Sequence, residues 1–213
     1  MDPIETRLKT EKQVNLARLE DTVVEALFEV DSSVFMHGDT AIWRCYNGNR
    51  FSEDIDIYAN EKQMDKILKN LTWSLSKRNV NMEHPKYTKR VITVFNESAR
   101  TKLEAMVPTS IKPVQTEYER TDGSKIFITT LSAEDLLIEK ISTYEKRGYV
   151  RDLYDIYHLS SISKMNSKLK KELSVFLTDI KKPSEDSSLS DLIYAGATPS
   201  FDTMVKEIER QSE

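Results

Sequence analysis

Residues 37–58 read HGDTAIWRCYNGNRFSEDIDIY, and the two features that decide the fold lie within this stretch. At its end, Asp54 and Asp56 alternate with two isoleucines. Successive side chains of a β-strand project from opposite faces, so the two carboxylates would share one face and the isoleucines the other. The alternation therefore predicts a strand with an acidic pair on one face and a buried apolar face behind it.

A glycine turn precedes this strand. The apolar residues 34–36 predict a short strand that Gly38 ends, and a short helix follows from Thr40. The free backbone N–H groups at a helix N-terminus bind phosphate. Two carboxylates on a rigid element suit Mg²⁺, which prefers a few carboxylates together with substrate phosphates. Together these two features predict a site for a phosphate group and a metal ion.

This stretch resembles the nucleotidyltransferase superfamily, whose signature is a Gly-Gly or Gly-Ser turn followed by an Asp-x-Asp strand. It is most similar to the AbiEii/AbiGii toxin branch, in which a Gly-Gly-Thr-Ala turn precedes the motif that residues 50–56 match with RFSEDID. A second block, from Glu139 to Ile156, is similar to the C-terminal motif of that family and includes RDLYDI at residues 151–156. Two blocks in the family's order make the resemblance specific, and it covers roughly residues 20–160.

The resemblance implies an α/β (α+β) fold with a nucleotidyltransferase-like mixed β-sheet core flanked by helices, followed by a helical C-terminal region. We expect the core to span residues 1–130 and a helical domain that completes the cleft to span residues 131–213. Ser132 begins the helical part, because serine is a favoured helix cap and acidic residues follow it. Hydrophobic spacing predicts other helices at residues 5–30, 61–76, 166–180 and 201–210, and strands at residues 80–82, 90–95, 102–107 and 125–129.

The resemblance also implies roles for individual residues. Asp54 and Asp56 would bind Mg²⁺, or Mn²⁺ in its place, and Glu104 matches the third carboxylate that the superfamily places on a later strand. An acid at the edge or surface of the sheet is the alternative interpretation of Glu104. The catalytic candidates are Asp54, Asp56, Glu104 and Lys140, and the substrate-binding candidates are Gly38, Asp39, Thr40, Arg50, Ser52, Arg147, Arg151, Asp152 and Asp155.

Lys140 lies on or beside the apolar stripe of its predicted helix, where a lysine is unusual unless it reaches an anion. With Arg147 or Arg151 it would neutralise the pyrophosphate leaving group. For Arg151 and Asp155, a surface ion pair at i, i+4 spacing is the alternative. For Arg50 and Ser52, contact with phosphate and ordering of the loop both stay open.

Asp39 departs from the family, which usually has glycine or serine at that position. A carboxylate at the phosphate turn would repel a triphosphate unless a metal ion or a lysine screens it. The alternative is that Asp39 caps the helix beginning at Thr40, since aspartate is a favoured N-cap.

The composition, with 38% hydrophobic and 31% charged residues and one cysteine, is that of a globular protein of a reducing compartment. No apolar run approaches the roughly 18 residues of a membrane span, so we expect a cytoplasmic protein without a membrane partner. The net charge of −4 argues against indiscriminate nucleic-acid binding but allows a local basic surface. Lysines at residues 164–182 are the best candidates for such a surface, and those at residues 62–69 could also lie along a polyanion. A solvated face is the alternative for both segments.

The resemblance favours a magnesium-dependent enzyme that transfers an NMP from an NTP to an acceptor, with RNA and the 3′ end of tRNA preferred. It also implies a toxin of a toxin–antitoxin or phage-defence system, with a cognate antitoxin as a partner. One alternative is a degenerate relative that binds nucleotide or RNA without turnover, which Asp39 favours. Another is transfer of a nucleotide or phosphoryl group to a protein.

Overall fold

The computed structural model describes residues 2–83, 90–108, 112–183 and 189–213. The chain forms two compact units, the first made of Met1–Cys45 and Phe51–Leu131 and the second of Tyr46–Arg50 and Ser132–Glu213. The functional division between residues 130 and 131 stays a prediction. The sequence of residues 181–188, KKPSEDSS, is typical of a polar linker or loop, and part of it lies outside the described residues.

A mixed sheet forms the centre of the first unit. Within the described residues its strands are β1 (Phe35–His37), β2 (Asp54–Tyr58), β3 (Asn81–Glu83), β4 (Val91–Phe95), β5 (Arg100–Met106), β6 (Val114–Glu119) and β7 (Lys125–Thr130). They lie side by side in the order β3, β4, β5, β2, β1, β7, β6. β2 pairs antiparallel with β1 and parallel with β5, so the strand with the acidic pair lies inside the sheet and not at an edge.

The alternation in β2 is confirmed. Ile55 and Ile57 are 0% and 1% exposed, whereas Asp54 and Asp56 are half-buried on the other face. Burying the two isoleucines stabilises the strand by about 1.5–3 kcal/mol each, which fixes the direction in which the carboxylates point.

Helices accompany this sheet. They are α1 (Ile4–Arg7), α2 (Glu11–Val30), α3 (Gly38–Cys45), a 3₁₀ turn (Glu61–Gln63) and α4 (Met64–Ser76). The helix predicted at residues 5–30 is divided, because the Thr10 side chain accepts a hydrogen bond from the Gln13 N–H and caps α2 there. The apolar side of α4 is buried as its spacing predicts, and α4 packs against α2 and β3.

The sequence analysis missed strand β6. Tyr118 is fully buried, but four of the other five residues of β6 are polar and none of the five is buried, so the strand lacks an apolar alternation. Its position at the end of the strand order explains this composition, because an edge strand is paired on one side only.

The second unit is helical, with α5 (Ala133–Arg147), α6 (Val150–Ile162), α7 (Ser167–Thr178), α8 (Leu189–Leu192) and α9 (Phe201–Ser212) among the described residues. Ser132 caps α5 by accepting a hydrogen bond from the Asp135 N–H, and Gly148 ends it with a φ of +64°. Residues 46–50 join this unit, since Arg50 forms a bridge with Ile193. The fold class predicted from the sequence is confirmed. No described helix combines the length and apolar character needed to cross a membrane.

Candidate active site

Three predicted carboxylates lie on two neighbouring strands of the first unit. Asp54 and Asp56 are on β2, and the parallel pairing of β2 with β5 places Glu104 opposite Asp56. Residues paired across neighbouring strands project from the same face of a sheet, so Glu104 shares the face of the acidic pair. All three side chains are half-buried and keep access to solvent.

The chemistry of this donor set fits a hard divalent cation. Mg²⁺ is usually bound through one or two carboxylates plus waters and substrate phosphates, and Asp54 with Asp56 supplies that number from one strand. Among the described residues, Asp54, Asp56 and Glu104 are not a set in which one carboxylate oxygen from each side chain lies within 4.8 Å of the other two. The aspartate pair therefore fits the metal, and the ligand role of Glu104 stays a prediction.

Gly38 lies directly against this acidic strand. Its φ is +71°, a left-handed conformation that glycine adopts without strain. A Cβ at this position would lie 2.3 Å from Oδ2 of Asp56 and 2.9 Å from its Cγ. The absence of a side chain at residue 38 is therefore what allows the turn before α3 to approach the carboxylate of Asp56.

Thr40 ties the same turn to β2 from a second point. Its hydroxyl donates a hydrogen bond of 2.5 Å to the carbonyl oxygen of Asp54, and the residue is fully buried. The structure thus brings Gly38 and Thr40 together with the acidic pair. Because the hydroxyl of Thr40 is occupied, its predicted role in substrate binding would depend on its backbone N–H.

Asp39 lies inside the first turn of α3, because the helix begins at Gly38 and not at Thr40. A carboxylate in the first turn interacts favourably with the positive end of the helix dipole. Capping of α3 by the Asp39 side chain stays a prediction.

The second unit contains a buried ion cluster of Arg50, Lys140, Arg147, Asp152 and Asp155. Asp155 accepts hydrogen bonds from Nε and Nη2 of Arg50 at 3.0 and 2.7 Å, and Nζ of Lys140 lies 2.7 Å from its Oδ2. Asp152 accepts one from Lys140 at 3.0 Å and two from Arg147 at 2.6 and 2.8 Å. The structure therefore brings together five of the predicted site residues.

Three cations are paired with two carboxylates within the ion cluster. The side chain of Lys140 is 6% exposed and that of Arg147 is 37% exposed. Lys140 reaches an anion, as its place on an apolar stripe indicates, and the anion is the protein's own Asp152 and Asp155. Arg147 is the cation of the cluster that keeps substantial access to solvent.

Arg151 lies beside this cluster but is not bonded to Asp155, whose described partners are Arg50 and Lys140. The surface ion pair that the i, i+4 spacing predicts is therefore wrong. The guanidinium of Arg151 lies 5.4 Å from the centre of the Tyr149 ring, and that of Arg147 lies 5.0 Å from it. Tyr149 thus holds two cations beside one another, a cation–π arrangement that sequence analysis missed.

Ser52, the remaining predicted residue, is 4% exposed and lies two residues before the start of β2. Its neighbour Phe51 packs edge-on against Trp43, with 5.0 Å between ring centres. The burial of both residues favours the structural interpretation of this segment, and contact between Ser52 and phosphate stays a prediction.

The sequence matches, over residues 24–211, a family model described as nucleotidyl transferase AbiEii toxin of type IV toxin–antitoxin systems. The chain belongs to the AbiEii family. It is therefore a nucleotidyltransferase of the toxin type, and the resemblance drawn from its two sequence blocks is confirmed.

Solved structures share the fold of this AbiEii family member. JHP933 from Helicobacter pylori is 17% identical with a TM-score of 0.67, and the match covers 96% of this chain and 92% of JHP933. MenT4, the nucleotidyltransferase toxin Rv2826c from Mycobacterium tuberculosis, is 13% identical with a TM-score of 0.63, and the match covers 95% and 84%. A search of curated proteins found no match.

A further buried polar group of this AbiEii family member was not foreseen. Arg44 donates a hydrogen bond of 2.6 Å to Asp21, which also accepts one of 3.1 Å from the Tyr118 hydroxyl. Glu20 is fully buried, and neither of its carboxylate oxygens has a hydrogen-bond partner among the described residues. Burial raises the pKa of Glu20 well above its usual value; the charge of Arg44 lowers it, and those of Asp21 and Asp54 raise it further.

Proposed function

We propose that this protein transfers a nucleoside monophosphate from an NTP to RNA, with the 3′ end of tRNA as the favoured acceptor, in a reaction that depends on Mg²⁺ or Mn²⁺. The observation that carries this proposal is the placement of Asp54 and Asp56 on β2, with the Gly38 turn against Asp56. A cognate antitoxin is the partner that membership of a type IV toxin family implies.

In the first unit, Asp54 and Asp56 would hold the metal ion, and Glu104 would add negative charge beside them. A bound divalent cation supplies charge for the triphosphate oxygens during in-line displacement at the α-phosphorus. The turn at Gly38 presents the N-terminus of α3, whose backbone N–H groups can donate to phosphate oxygens. A carboxylate near the attacking hydroxyl, Asp56 or Glu104, would accept its proton.

In the second unit, the ion cluster provides the cations for the leaving group. Arg147 keeps 37% of its side chain exposed and can donate to the oxygens of pyrophosphate. Lys140 and Arg50 are held by Asp155, which limits their freedom to move and keeps their charges in place. We assign the contact with phosphate to Arg147 and Arg151. We assign the positioning of Arg147 to Asp152, which accepts two hydrogen bonds from it.

Incubation of the protein with Mg²⁺, total tRNA and each α-³²P-labelled NTP in turn tests this function. We expect label on RNA with one or more nucleotides and no label with Asp56→Asn, which removes a charge while keeping the side-chain volume. Asp202→Asn is the matched control, because Asp202 is an exposed aspartate on α9. Absence of label on RNA with every NTP would refute the RNA acceptor.

A binding protein without turnover is the second candidate, because Asp39 places a carboxylate in the first turn of α3 where phosphate would approach. In that case nucleotide would bind equally with and without Mg²⁺, and no pyrophosphate would be released. Label that appears on protein and not on RNA would instead identify a protein acceptor.

A further inference from the structure

Trp73 is an exposed tryptophan on α4. It is 64% exposed, whereas the other tryptophan, Trp43, is 2% exposed within the core. One helical turn further on, Nζ of Lys77 lies 3.3 Å from the centre of the Trp73 ring. A large aromatic side chain contributes most to stability when it is buried, so packing of the core does not account for Trp73.

Lysines lie along α4 and at its two ends. Lys66 and Lys69 are on α4, Lys62 is in the 3₁₀ turn before it, and Lys77 directly follows its last residue. Lys62, Lys66, Lys69 and Lys77 are all exposed, and steps of three or four residues connect them through Trp73. Side chains at such spacing are neighbours on a helix surface. The chain as a whole has a net charge of −4, so this basic line does not reflect a generally basic protein.

A surface groove of about 430 Å³ adjoins this line, within the range of sites that hold small ligands. Its lining residues are Glu29, Val30, Lys69, Asn70, Trp73 and Ser74. Asn70 contributes an amide, which can both donate and accept hydrogen bonds. The carboxylate of Glu29 lies 2.6 Å from Nη2 of Arg78, so its negative charge is compensated and does not oppose an anionic ligand.

We propose that this surface, the α4 face, binds single-stranded RNA. We define the α4 face as Lys62, Lys66, Lys69, Asn70, Trp73 and Lys77. An aromatic ring stacks on any nucleobase, lysines pair with the phosphates on either side, and an amide can reach the edge of an unstacked base. The inference rests on the proposed RNA acceptor and adds a place where that RNA is held.

Nucleic acid explains the α4 face better than an acidic polypeptide does. An acidic polypeptide would form ion pairs with the lysines, but its carboxylates would not stack on the exposed indole of Trp73 or require the amide of Asn70 in the groove. A nucleotide offers both a negative charge and a flat ring. The expected ligand of the α4 face is therefore a segment of unpaired nucleotides.

Fluorescence anisotropy of a short fluorescein-labelled single-stranded RNA measures this binding. The full chain is titrated in EDTA without nucleotide, so that binding is observed without turnover. We expect Trp73→Ala to weaken binding by about five- to one-hundred-fold, the range found for a lost base stack, and Trp73→Phe to retain most of the affinity. Thermal unfolding of both variants verifies that the exposed position leaves the fold intact.

The lysines are tested through the dependence of affinity on salt. Lys66→Gln with Lys69→Gln should lower the slope of log affinity against log salt by about 1.4, since each phosphate contact to a single strand contributes about 0.7. The control is Lys168→Gln with Lys171→Gln, which removes the same charge from exposed positions on α7. This control should leave the slope unchanged.

Equal affinities for wild type and Trp73→Ala, within two-fold, would overturn the proposal. It would also be overturned if the α7 pair carried the salt dependence, or if polyglutamate competed as well as RNA with the same sensitivity to Trp73→Ala. The transfer assay with Asp56→Asn is independent of this binding assay. Binding that depends on Trp73 without label on RNA would refute the proposed function alone, and label on RNA without such binding would refute the α4 face alone.

Discussion

Replacement of Gly38 by alanine tests the approach of the α3 turn to the acidic strand. The new Cβ would lie 2.3 Å from Oδ2 of Asp56, about 1 Å inside the 3.4 Å at which ordinary van der Waals contact begins. Either the turn or the carboxylate of Asp56 must move by that distance. A misplacement of about 1 Å can lower the rate about a hundred-fold, and a left-handed alanine costs about 1–2 kcal/mol of folding free energy.

Transfer of labelled nucleotide measures the first effect, and urea unfolding measures the second. Gly196→Ala is the matched control, because Gly196 has a φ of +87° and a Cβ there would meet no atom within 4 Å. We expect both variants to lose about 1–2 kcal/mol of stability from backbone strain. Only Gly38→Ala should also lower the transfer rate, by about a hundred-fold.

A Gly38→Ala enzyme with wild-type activity would refute the argument that the position of Asp56 relative to this turn is needed for catalysis. Equal losses of activity in the two glycine variants would refute it as well, because backbone strain alone would then explain both.

Three further predictions concern titratable groups. Glu20→Gln should raise the free energy of unfolding at neutral pH and reduce its pH dependence. The reason is that the pKa of Glu20 is raised in the folded state, so wild-type stability falls as pH rises from about 4.3 to that pKa, by about 1.4 kcal/mol per pKa unit. Urea unfolding between pH 4 and 9 measures both changes, and a variant whose stability depends on pH as the wild type does would contradict them. Asp155→Asn should cost about 3–5 kcal/mol in the same assay, because it removes the carboxylate that Arg50 contacts and leaves Lys140 with Asp152 alone. A loss under about 1 kcal/mol would disprove the role of the ion cluster in stability. Cys45 is half-buried, and desolvation raises the pKa of its thiol to about 12. It should therefore react slowly with Ellman's reagent at pH 8 and quickly in urea, and rapid reaction of the folded protein would count against this.

Local patterns predicted much of the first unit. The alternation in residues 54–57 indicates both the strand and the face that carries the carboxylates, because a shift by one residue would expose Ile55 and Ile57. The end of β1 at Gly38 can be predicted from the sequence. The contact of Gly38 with Asp56 cannot, because it depends on the antiparallel pairing of β1 with β2.

Long-range ion pairs could not be predicted from spacing. Asp155 has Arg151 four residues before it, but its partners are Lys140 and Arg50, and Arg50 is 105 residues away in the chain. Burial decides this outcome, because Asp155 faces the interior of the second unit while Arg151 stacks on Tyr149. The predicted groups Lys140, Arg147 and Asp152 do come together, since consecutive helices with a short connection pack against each other.

Glu20 and Arg44 show where a usable signal was overlooked. Glu20 and Asp21 lie among apolar residues of α2, where an acidic pair is as unusual as Lys140 is in its own helix. The same argument applied to Glu20 would have predicted a buried acid, although not the identity of Arg44 and Tyr118 as its neighbours.

Residues 46–50 belong to the helical unit although they lie between two segments of the first unit in the sequence, and this affects folding during synthesis on the ribosome. These residues are made before the sheet is complete, yet the helices to which they belong follow only after Leu131. Until α6 has emerged, Arg50 lacks Asp155, and closing the long loop between them costs conformational entropy that local contacts do not repay. A nascent chain that ends at residue 131 therefore lacks the Asp155 contact of Arg50, and the native helical unit can form only late in translation.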